Sequence, residues 1–151
     1  MARQVYSEIY LHVVWHTKED EPVLRDLIES RTHAFIKHKG CKTPGVFIHE
    51  VGGIEDHVHI VMSVPATLTP SVWIGETKGA SSYHINQEVA MRKILEWQNG
   101  YGIVSFGKRD LPWVVDYVRN QKTHHQRGTV HDRLERIEAE ASEEQEGAKA
   151  P

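Results

Sequence analysis

Apolar and polar positions alternate from Ser7 to His16 (SEIYLHVVWH), a β-branched and aromatic stretch that predicts a first strand. The period then lengthens. Pro22 opens a run in which Val23, Leu24, Leu27, Ile28, Ala34, Phe35 and Ile36 fall at helical spacings until Gly40 ends it. Pro44 to Val51 predicts a second strand, Gly52-Gly53 the start of a short connection, and His57 to Val64 a third strand closed by Pro65. Two strands so close in sequence should pair as an antiparallel hairpin. Pro70 suits the first turn of a second helix carrying Val72, Trp73, Ile74 and, past a middle weakened by Gly75 and Gly79, Ile85. Gly100 to Phe106 predicts a fourth strand, Gly107 to Pro112 a hinge-like connection, and Leu111 to Gln126 a third helix. The order β-α-β-β-α-β-α implies an α+β fold: a ferredoxin-like split βαβ arrangement with an antiparallel sheet and an added C-terminal helix.

Composition narrows the class. With 151 residues, 39% of them hydrophobic, the chain is one domain long and can bury a core without staples. The single cysteine, Cys41, excludes an internal disulfide and CxxC zinc chemistry. No apolar run approaches the roughly 20 residues that span a bilayer, and the N-terminus lacks a signal-like apolar segment, so no membrane and a cytoplasmic location are expected. The net charge of −3 is unevenly placed: seven acidic and three basic side chains from Asp132 to Pro151 give the tail −4 and leave +1 for the rest. A near-neutral body permits nucleic-acid binding without predicting it. The core pattern stops at Gly128. Residues 1–128 are therefore expected to form the domain and 129–151 an acidic flexible tail, disordered over Ala139–Pro151.

Three groups could carry chemistry. His57 and His59 lie two residues apart on the third strand, so both imidazoles face one side and can converge on one ion or phosphate. Two hydrogen-bonded histidines on a half-buried strand explain the pair equally well until a third ligand is found. Position 61 is Val, which removes a histidine-triad reading, and no P-loop, GxGxxG or zincin pattern occurs. On the last helix Leu111, Val114, Val115 and Val118 form an apolar stripe, with Tyr117 and Gln121 as i, i+4 neighbours on its flank. A tyrosine there ordinarily just packs at the rim of a core. Finally, Lys78, Ser81 and Ser82 on the second helix offer a phosphate-contacting surface, or simply a solvated helix face.

These pieces occur together and in order. In YLHVVWHTKEDEPVL, GGIEDHVHIVMSVP, KGASSYHIN and WQNGYGIVSFGKRDLPWVVDYVRNQKTHHQ the chain resembles the HUH single-strand DNA transposases with one catalytic tyrosine, the TnpA-type, IS-two-hundred-like insertion-sequence transposases. The likeness runs to about residue 127. Glu55 departs from it, standing where many relatives have proline, and the acidic tail has no counterpart in the pattern.

The resemblance implies a transposase catalytic domain in residues 1–128 that cleaves and rejoins single-stranded DNA through a 5′-phosphotyrosine on Tyr117. It implies a divalent metal, Mg²⁺ or Mn²⁺, on His57, His59 and Gln121. It further implies single-stranded DNA with hairpin (palindromic) ends as substrate, and a homodimer that exchanges the tyrosine helix through the Gly107–Pro112 connection. Lys78, Ser81, Ser82, Arg119 and Lys108 are expected on DNA, and Trp73, Tyr83 and Trp113 are available to stack on bases. Two alternatives use the same residues: a domesticated relative that processes repetitive palindromic elements, and a non-catalytic DNA-hairpin-binding regulator. The intact set of Tyr117, His57, His59 and Gln121 speaks against the second.

Overall fold

The computed structural model describes residues 4–138. Four strands, β1 (Tyr10–His16), β2 (Phe47–Ile54), β3 (His57–Ser63) and β4 (Gly102–Phe106), form one sheet in the order β2-β3-β1-β4, with every neighbouring pair antiparallel. The fold is α+β with the expected split βαβ topology. Helices α1 (Asp26–Cys41) and α2 (Pro70–His84) cover one face of the sheet. There Leu11, Val13 and Trp15 of β1 and Val58, Ile60 and Met62 of β3 pack against Ile36, Trp73 and Ile74. The alternate residues of the same strands, among them His12, His16, His57, His59 and Val61, therefore face the other way. That second face is covered by α3 (Leu111–Arg119), through Val114, Tyr117 and Val118, and by Leu134.

Several expected boundaries move, each for a local reason. Gly52 and Gly53 are not a connection. They lie inside β2, paired with His59 and Val58, and the turn is Glu55-Asp56. A Cβ on Gly52 would collide with the backbone carbonyl of Val118, so glycine there lets α3 lie directly on the strand. The first helix starts at Asp26 rather than Pro22, because Leu24 is drawn into a separate cluster with Ile85 and Leu95 while its N–H donates to Glu55 O. Leu27, counted in the apolar stripe, is exposed.

The predicted helix Leu111–Gln126 breaks at Asn120 (φ −103°, ψ 27°) into α3 and α4 (Gln121–Arg127). Asn120 donates from both its backbone N–H and its side-chain Nδ2 to Asp116 O, at 3.0 and 2.9 Å, so its side chain shares the carbonyl that ends α3. Gly128, in the left-handed region at φ 68°, caps α4 and turns the chain back toward the sheet. The stretch after it is not without structure: Asp132–Glu135 form a short helix, α5, and Leu134 is buried against α3. The expected disorder over Ala139–Pro151 lies outside the described residues.

Candidate functional site

The sheet face beneath α3 collects four buried polar side chains, His12, His57, His59 and Gln121. His57 and His59 are buried, as is Gln121 at the start of α4. Each strand histidine is held from behind. The His57 Nδ1–H donates to Asp56 Oδ1 at 2.6 Å, and the His16 ring stacks on it at 4.8 Å between centroids. His59 Nδ1 lies 2.8 Å from His12 Nε2, on the neighbouring strand. Both Nε2 atoms consequently point into the space under α3 and α5. Partners that fix one ring nitrogen and aim the other are the usual second layer of a metal-binding histidine.

Gln121 Oε1 lies 3.4 Å from His57 Nε2, so the expected third ligand does reach the pair. Two residues that sequence reasoning missed reach it as well. His125, one turn after Gln121 on α4, has its Nε2 3.0 Å from Gln121 Oε1. Glu135 of α5 places Oε2 at 2.9 Å from His59 Nε2, and Oε1 at 2.8 Å from His125 Nε2 and 3.5 Å from His57 Nε2. His125 was visible as an i, i+4 partner of Gln121. For Glu135 the signal was Leu134 standing among charged residues.

Burial and charge set the protonation states here. Burial would lower His57, but hydrogen bonds to Asp56 and Glu135 outweigh it and raise the imidazole to about 9. For His59 burial prevails over the attraction of Glu135, and the pKa falls to about 4. Burial likewise lowers His12 to about 3. Glu135 is held ionised well below the carboxylate range: burial alone would raise it, and the hydrogen bonds from His57 and His59 overcome this.

Tyr117 is buried, its ring 6.1 Å from that of His59, and its hydroxyl accepts the His131 backbone N–H at 2.9 Å. Burial raises its pKa, with the Glu135 charge acting in the same direction, so the phenol is protonated at neutral pH.

The residues expected on DNA divide by location. Lys78, Ser81 and Ser82 sit on α2, across the sheet from Tyr117. Lys78 Nζ donates to the carbonyls of Gln98 (2.6 Å) and Gly100 (2.9 Å), which pins the approach to β4. Ser81 is buried and accepts Trp97 Nε1–H at 3.0 Å, and Ser82 donates to the Lys78 carbonyl within its own helix. Lys108 precedes α3 and Arg119 is its last residue. Lys108 is largely exposed, and Arg119 pairs with Glu50 at 3.0 Å. Trp73 belongs to the core and bonds Thr43, which corrects its expected role as a stacking surface, while Tyr83 and Trp113 are exposed.

Comparison with known proteins accords with this framework. The chain belongs to the IS200-like transposase family, whose profile, "Transposase IS200 like", matches residues 5–121. The transposases for insertion sequence element IS200 of Salmonella typhimurium (strain LT2) and Salmonella typhi are 28% identical to it over 91 residues, 57% of this chain. The chain spans 59% of the length of these curated relatives. Among solved structures, a candidate transposase from Deinococcus radiodurans R1 is similar with a TM-score of 0.64 at 17% identity, over 80% of this chain and 96% of that one. A REP-associated tyrosine transposase bound to a REP hairpin is similar with a TM-score of 0.59 at 16% identity, over 86% and 75%. These two likenesses concern the fold. No helix among the described residues is long and apolar enough to cross a membrane.

Proposed function

We propose that the protein is a metal-dependent single-strand DNA transposase that cleaves and rejoins DNA at hairpin ends through a 5′-phosphotyrosine on Tyr117. One observation carries this reading: a buried tyrosine on α3 packs beside two strand histidines whose Nε2 atoms both face Glu135, and Gln121 Oε1 reaches His57 Nε2. The donor set fits a divalent ion. His59 Nε2 and Glu135 Oε2 are buried and, facing each other at 2.9 Å, have no other partner among the described residues. His57, His59 and Gln121 would hold Mg²⁺ or Mn²⁺, which when bound supplies Lewis-acid polarisation of a phosphodiester.

The remaining work falls to the chain. The Tyr117 oxygen attacks phosphorus, its proton leaves, and the 3′-oxygen departs as a hydroxyl. The phosphodiester energy is kept in the phosphotyrosine, so another 3′-hydroxyl can reverse the step. Incubation with end-labelled single-stranded hairpin DNA and Mn²⁺ should give a covalent protein–DNA adduct. Tyr117→Phe should give none while binding the hairpin nearly as well. An adduct formed by Tyr117→Phe at the wild-type rate refutes the assignment.

A homodimer that exchanges α3 through residues 107–112 is part of this proposal. In the described chain α3 rests on its own sheet, so one chain supplies every group of the site. The fold shared with a REP-associated tyrosine transposase bound to a REP hairpin favours a second reading in which a domesticated enzyme processes palindromic repeats.

A further inference from the structure

The His57–His59 pocket holds more donors than two imidazoles and an amide. Glu135, on a helix of four residues beyond Gly128, comes within 2.9 Å of His59 Nε2, 3.5 Å of His57 Nε2 and 2.8 Å of His125 Nε2. His125 Nε2 in turn lies 3.0 Å from Gln121 Oε1, which lies 3.4 Å from His57 Nε2. The ligating atoms of His57, His59, His125 and Glu135 all fall within 4.8 Å of one another.

Atoms bound about 2.1 Å from one ion lie about 3.0 Å apart along an octahedral edge and about 3.4 Å apart in a tetrahedron. The measured separations of 2.8 to 3.5 Å fall at those values. Glu135 is also anchored: Leu134 beside it is buried in the α3 cluster, and the carbonyl of Arg136 lies against Gly102 where any Cβ would collide.

We infer that Glu135 is an anionic ligand of the divalent ion, with His125 beside it, so that α5 closes the metal centre. The inference rests on the proposed reading only in taking the His57–His59 face as the ion's seat. Five protein donors leave an octahedral ion one position for a phosphate oxygen. A set with three imidazoles favours Mn²⁺ over Mg²⁺, which prefers all-oxygen surroundings. The carboxylate also offsets one of the ion's two charges, strengthening binding and moderating the pull on the substrate phosphate.

The test is Mn²⁺ binding by the full chain without DNA, followed from the electron paramagnetic resonance signal of free Mn²⁺. Amide hydrogen exchange over residues 129–138 gives a second readout. Glu135→Gln, nearly isosteric, should weaken Mn²⁺ binding at least tenfold, and His125→Ala should weaken it by a similar factor. Mn²⁺ should slow exchange around α5 in the wild type and not in Glu135→Gln, a response that a purely structural glutamate would not give. If Glu135→Gln binds Mn²⁺ as tightly as the wild type while the His57→Ala, His59→Ala double variant does not bind, the inference falls and the proposed function stands. If the double variant binds as well as the wild type, the ion's seat is wrong and both fall. If Mn²⁺ speeds exchange around α5, Glu135 is displaced by the ion rather than bound to it, and the inference is overturned.

Discussion

Gly52→Ala probes how closely the helix that carries Tyr117 is held. A Cβ at this position would lie 3.0 Å from the carbonyl carbon of Val118 and 3.2 Å from its Cγ1, and closer still to its carbonyl oxygen, whereas ordinary contacts begin at 3.4 Å. The obstacle is mainly backbone and cannot rotate away. Nor can the strand retreat, because Gly52 pairs with His59 on central strand β3. The last turn of α3 must therefore lift by about 1 Å, carrying the adjacent Tyr117 with it.

Overpacking of this kind costs about 1–3 kcal/mol. A misplacement of about 1 Å in a reacting group costs about 100-fold in rate. The midpoint of urea unfolding should fall accordingly, and adduct formation on labelled hairpin DNA should slow by about two orders of magnitude. Gly79→Ala is the control: nothing lies within 4 Å of the new Cβ, so this helix-interior change should stabilise by about 0.5–1 kcal/mol and leave the adduct rate alone. Wild-type adduct kinetics and an unchanged midpoint in Gly52→Ala would refute the description of α3 as seated on β2.

Mixing Tyr117→Phe with the His57→Ala, His59→Ala double variant separates an α3 exchanged between chains from one that serves its own chain. If α3 is exchanged, about half the dimers are mixed and each rebuilds one complete site, so the first adduct should recover to at most about a quarter of the wild-type level. No recovery, with subunit exchange verified, would place the whole site in one chain. A third prediction concerns His33, whose buried Nε2 lacks a partner and whose pKa burial lowers from 6.5 to about 4. The unfolded chain takes up this proton first, so the stability that neutral His33 provides is complete above pH 6.5 and drains away as pH falls toward 4. Between pH 7 and pH 5 that amounts to about 2 kcal/mol, which His33→Gln should remove from the pH dependence of the unfolding free energy. An identical pH profile in the variant would refute the assignment.

The sheet was legible because its two faces follow from a period of two. Once His57–Val58–His59 is read as a strand, the two imidazoles must share a face and Val58 the core. What escaped depends on tertiary contact. Gly52-Gly53 signals a turn by local chemistry, and only the approach of Val118 from 66 residues further along makes glycine necessary within the strand. The break at Asn120 falls just past the last apolar position of the stripe, Val118, where no period remains to reveal it. α5 is too short to show any periodicity: one leucine among charged residues looks solvated until the pocket that receives it is known. Ser81 and Trp73 erred in the opposite sense, since a helix face that could meet phosphate or bases is used here to bind Trp97 and Thr43.

The interruption at Asn120 has a mechanical consequence. An unbroken helix from Leu111 onward would carry the phenol and the donors Gln121 and His125 on one rigid rod, and any displacement of one would drag the others. As built, the phenol rides on a segment of nine residues, about 13.5 Å long, too short to persist as a helix without its seat on the sheet. The donors ride on a separate segment, which Lys122 moors to the Glu29 carboxylate at 2.8 Å and to the Gly53 carbonyl at 3.3 Å. The articulation lets Tyr117 pivot without disturbing Gln121 and His125, and under the proposed function that is the freedom an enzyme would need to carry a covalently held strand from one acceptor to the next.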